Sequence, residues 1–128
     1  MVVLKKTAYL IMACSISPLL YAAPTANIFT TTFSILSYAK WDTTSPKFCV
    51  INNSSLVNDF KKLAPPHSTY KITAINVNDI KSSHCQVLFF SNLTAKEEQS
   101  ILNNHVNFPA LSLSSNNSEC ESGSAFCI

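Results

Sequence analysis

Cys85-Gln-Val-Leu-Phe-Phe90 decides the fold. A strand with one wet face alternates apolar and polar residues. This run is apolar at nearly every position, as in a strand of a parallel sheet buried on both faces. Phe48-Cys-Val-Ile51, ending at Asn52-Asn53, has the same β-leaning, apolar character. Tyr70 to Asn76 alternates and reads as a further strand, and Pro109-Ala-Leu-Ser-Leu113 as a fourth.

The segments between these strands carry helical signals. Ile28, Phe29, Phe33 and Leu36, with Ile35 on the flank, recur near helical spacing from Asn27 to about Lys40. Ser54 or Ser55 is expected to cap a helix over residues 56–63 that stops at Pro65-Pro66. Thr94-Ala-Lys-Glu97 is a capping box that starts a helix through about Asn103. The predicted order is helix, strand, helix, strand, strand, helix, strand. That order gives an α/β fold, a small mixed sheet flanked by helices. A single glycine among 128 residues also disfavours an all-β sandwich with its many turns.

The front of the chain reads as an export signal over residues 1–23. Lys5 and Lys6 precede an apolar run from Thr7 to Leu20, and Tyr21-Ala-Ala23 supplies small residues for cleavage. Ser15, Ser17 and Pro18 interrupt the run, which is short for a membrane span of roughly 20 apolar residues. Ile11-Met-Ala-Cys14 offers an alternative, a lipid anchor at Cys14. Residues 24–128 then form one domain, exported and periplasmic.

Export changes the charge and the cysteine count. Losing Lys5 and Lys6 leaves seven lysines against seven acidic residues, with no arginine and no basic run. Nucleic acid is therefore not an expected partner. Cys49, Cys85, Cys120 and Cys127 remain, an even number that implies disulfides in an oxidising compartment. Loop size favours Cys120–Cys127, leaving Cys49–Cys85, but four cysteines allow three pairings and spacing alone does not choose. Gly123, inside the short cysteine loop, is the residue free to take a positive φ. The spacings lack the close pairs of a zinc site, so no metal is expected.

Catalytic patterns are sparse. Ser37-Tyr-Ala-Lys40 matches the Ser-x-x-Lys of acylating serine enzymes, and an exported hydrolase using Ser37 and Lys40 is an alternative function. The partner motifs of those enzymes do not follow. His67, His84 and His105 are scattered and read as surface residues. One glycine cannot build a phosphate-binding loop, so no nucleotide cofactor is expected. Tyr38 and Trp41 read either as core aromatics or as an exposed pair at a protein interface.

Ser37-Tyr-Ala-Lys-Trp41, Lys47-Phe-Cys-Val-Ile51, Cys85 to Phe90 and Glu119-Cys120 through Cys127-Ile128 together resemble the YfiR family, including its HmsC type. The resemblance spans about Asn27 to Ile128. It implies a non-enzymatic periplasmic repressor, a homodimer without cofactor, paired as Cys49–Cys85 and Cys120–Cys127. The implied partner is the periplasmic domain of a YfiN-like inner-membrane diguanylate cyclase. A YfiB-like outer-membrane lipoprotein would release it, raising cyclic di-GMP and promoting biofilm. Family members continue through a further strand and helix. The chain is thus expected to be a truncated member, and a non-functional product is the alternative to repression.

Overall fold

The computed structural model describes residues 27–116 and 122–128. The expected signal segment, Cys14 and Cys120 lie outside these residues. The described chain runs α1 (Ile28–Ser37), β1 (Lys47–Ile51), α2 (Ser54–Leu63), β2 (Lys71–Ile75), a 3-10 turn (Val77–Asp79), α3 (Ile80–Ser83), β3 (Val87–Phe90), α4 (Ala95–His105), β4 (Leu111–Ser114) and β5 (Phe126–Cys127).

The five strands form one sheet in the order β2-β1-β3-β4-β5, and every pairing is parallel. The α/β class is as expected, but the sheet is parallel throughout rather than mixed. The reason lies at Val77–Ser83. Two strands joined directly would return antiparallel, whereas a crossover element lets the second run parallel to the first. The 3-10 turn and α3 supply that crossover, with Ile80 buried beneath it.

Helix starts follow local chemistry. Asn27 Oδ1 accepts from Phe29 N–H at 2.9 Å and caps α1. Asn53, rather than Ser54 or Ser55, caps α2 by accepting from Leu56 N–H at 3.1 Å. Thr94 and Glu97 form the reciprocal capping box at α4, at 2.7 Å and 3.3 Å.

Alternation along the central strands feeds two cores. Phe48 and Val50 of β1, with Val87 and Phe89 of β3, pack beneath α1 and α2 against Phe33, Leu36, Val57 and Phe60. Cys49, Ile51, Leu88 and Phe90 face the other side with Ile80, Ile101, Leu102 and Val106 from α3, α4 and the segment after it. The crossover from β1 to β2 and those from β2 to β3 and β3 to β4 run in opposite directions, so right-handed connections place their helices on opposite faces. Cys49 and Cys85 are joined by a disulfide in the second core, with Cα atoms 6.0 Å apart.

The β5 end differs in chemistry. Ser112 and Ser114 of β4 are buried on the α4 face, together with Glu98 of α4 and Ser124. The sequence did not mark a strand here, yet residues 126–127 form a two-residue edge strand, with Phe126 opposite Leu113 and Cys127 opposite Ser114. Gly123 adopts φ 86° where the segment turns toward α4, the conformation that its lack of a Cβ permits.

Candidate partner-binding surface

The segment after α1 carries the two aromatics singled out in the sequence, and it separates their roles. Trp41 is locked. Its Nε1–H donates to the Tyr70 hydroxyl at 3.0 Å, and that hydroxyl donates to the Leu36 carbonyl at 3.3 Å. The Trp41 and Tyr70 rings meet edge to face at 6.2 Å. Tyr70 also lies 6.2 Å from Phe33, so the anchor of Trp41 reaches the main core. Tyr38, by contrast, is 86% exposed at the C-cap of α1. Such an aromatic gains nothing from the fold in that position. Beside a rigid neighbour it is the kind of residue that anchors a partner.

Lys40, Trp41, Phe108, Pro109 and Leu111 line a cleft of about 700 Å³ at the amino-terminal ends of β3 and β4. His84 lines it too, with its ring centroid 5.6 Å from Phe108. His84 adopts a left-handed backbone, φ 49°, which ends α3 and turns the chain into β3.

The cleft floor is held from several directions. Cys85 lines it and is tied to β1 through Cys49. The Gln86 Oε1 accepts from Lys47 N–H at 2.7 Å, and the Lys47 ammonium donates to the Ser83 carbonyl at 3.0 Å. Gln86 N–H donates to the Lys47 carbonyl, and Leu111 N–H to the Gln86 carbonyl. These bonds hold the cleft lining in place, and a site ordered in advance carries a smaller ordering cost for any ligand it takes.

Phe108, Pro109, Leu111 and His84 were not singled out in the sequence as site residues. They are far from Trp41 in the chain, and only the parallel crossovers bring them to it. Ser37 and Lys40 give no sign of an acylating pair in their bonding. The Ser37 hydroxyl donates to the Ser34 carbonyl at 2.6 Å, an ordinary bond at a helix end, while Lys40 belongs to the cleft wall. The three histidines remain apart, with His67 in the turn after α2 and His105 closing α4. Among the described residues, no helix is long and apolar enough to cross a membrane.

The described chain is an α/β domain with a braced cleft and an exposed aromatic near it. The sequence model of the YfiR/HmsC-like family matches residues 29–128, and the chain belongs to that family. The family is one of regulatory domains and is not a known enzyme family. No curated protein matches the chain.

Proposed function

We propose that the protein is a periplasmic regulatory binding protein that restrains an inner-membrane diguanylate cyclase. It holds the periplasmic domain of a YfiN-like cyclase in its inactive state, lowering cyclic di-GMP and biofilm formation. A YfiB-like outer-membrane lipoprotein reverses this, and the protein acts as a homodimer. The single observation that carries the reading is membership of the YfiR/HmsC-like family over residues 29–128. Two features support it. The buried Cys49–Cys85 bridge suits an oxidising compartment. The exposed Tyr38, beside the fixed Trp41 and its cleft, suits a protein interface, where such aromatics carry much of the binding energy.

The experiment is a titration of the oxidised protein with the purified periplasmic domain, together with a cyclase assay on the full-length membrane enzyme. Saturable binding and a fall in cyclic di-GMP synthesis are expected. Tyr38→Ala should weaken binding roughly thirty-fold, as for a central interface aromatic, and leave the fold intact. Absence of both binding and inhibition by the oxidised wild-type protein overturns the proposal.

A further inference from the structure

Glu98 is the one acidic residue recorded as buried among the described residues, and its bonding points away from its own helix. Its Oε1 accepts from the Ser114 hydroxyl of β4. Its Oε2 accepts from the Ser124 hydroxyl at 2.9 Å and from Ser124 N–H at 3.3 Å. A carboxylate taken out of water is stable only where donors replace its hydration. Here two of those donors come from the segment that leads into β5.

The neighbouring contacts repeat the pattern. Gly123 N–H donates to Gln99 Oε1 at 3.1 Å, one residue along α4. Ala125 N–H donates to the Ser112 hydroxyl at 2.9 Å, and Ile128 N–H to the Ser114 carbonyl at 2.8 Å. The apolar grip is smaller than that of the central strands: Ile128 is half-buried against the core beneath α1 and α2, but Phe126 is 42% exposed, Ser122 and Ala125 are exposed, and Ser124, a polar residue, is the only one of the segment that is fully buried. β1, with four of its five residues buried, is attached very differently.

We propose that residues 122–128 form a strap, latched to α4 by Glu98, that opens as a unit while β2, β1, β3 and β4 stay folded. Segments with few buried apolar contacts open at lower free energy than the core of the same domain. Opening leaves β4 as the sheet edge. The backbone groups of Leu113 and Ser114 that pair with β5 then lose their partners.

Native-state hydrogen exchange on the full oxidised chain tests this. Amides of residues 123–128 are expected to exchange at least about a hundred-fold faster than those of Val50, Leu88 and Phe89, with a far weaker dependence on denaturant. Glu98→Gln keeps the shape of the side chain and removes one acceptor. It should speed strap exchange about ten-fold or more while the near-ultraviolet dichroism of the aromatic core stays native. Strap amides that exchange at the rate and with the denaturant dependence of the β1 and β3 amides overturn the proposal. So does strap exchange at the wild-type rate in both Glu98→Gln and Glu98→Ala.

Discussion

The centre of the sheet and its β5 end hold their strands by opposite means. At the centre, β1 and β3 present apolar side chains to both faces, and Phe60 of α2 lies 4.9 Å from both Phe48 and Phe89. Burial of this kind is strong but non-directional, so the apolar contacts do not by themselves select one alignment of a short strand. At the β5 end the α4 face of β4 is serine, and a buried glutamate gathers hydroxyl and backbone donors. Hydrogen bonds tolerate little misalignment. A slip of one residue would also reverse every side chain of the short strand. The contrast suggests a division of labour: apolar packing supplies the stability of the body, and the polar clasp chooses one register for a strand too short to choose its own.

The largest effect that tests this contrast is expected at Phe60. The ring is fully buried and also meets Phe29 at 4.8 Å and Phe33 at 5.9 Å. Phe60→Ala should cost about 3–5 kcal/mol, close to the whole stability of a small domain. Urea denaturation of wild type and variant measures it. A loss below about 1 kcal/mol would show that the phenylalanine cluster is not the principal support of the sheet. Next comes the bridge across the second core. Replacing Cys49 and Cys85 together by alanine opens a loop of 36 residues' separation and should lower stability by about 3–4 kcal/mol on the chain-entropy account. Because Cys85 lines the cleft beside Trp41, the same pair should also weaken partner binding. Tyr38→Ala should affect binding alone.

This centre was largely legible in the sequence, for a physical reason. Cys85 to Phe90 is apolar on both faces, and only a strand covered on both sides needs that. Thr94 and Glu97 were equally plain, because a capping box is a local structure written within four residues. The crossover at Val77–Ser83 was not legible. Its 3-10 turn and α3 span three and four residues, too few for helical periodicity to register, so a parallel sheet read as mixed. The β5 end was the least legible. Glu97 and Glu98 are identical in type and adjacent, and nothing local says that one caps its own helix while the other is buried against β4. Phe126-Cys127 is too short to show alternation. The cleft fell between these cases: Tyr38 and Trp41 stood out by type, while Phe108 and Leu111 join them only through the crossovers.

Two hydroxyl deletions sharpen the comparison further, because the two regions predict opposite signs. Ser114→Ala removes a donor from buried Glu98, and it should cost about 1–3 kcal/mol with the loss concentrated in strap exchange. Thr32 lies on the core face of α1, fully buried, and its Oγ1 has no hydrogen-bond partner among the described residues. Among the described residues that hydroxyl finds neither donor nor acceptor. Thr32→Val exchanges it for a methyl group of similar size at little change in helix propensity. An unpaired buried hydroxyl carries a desolvation penalty that its removal relieves, so the variant should be more stable by about 1 kcal/mol. Thermal unfolding reads this as a rise of a few degrees for a domain of this size. Destabilisation by Thr32→Val would mean that the hydroxyl has a partner, a bound water among the candidates, and that the α1 face of the core is less purely apolar than its neighbours make it.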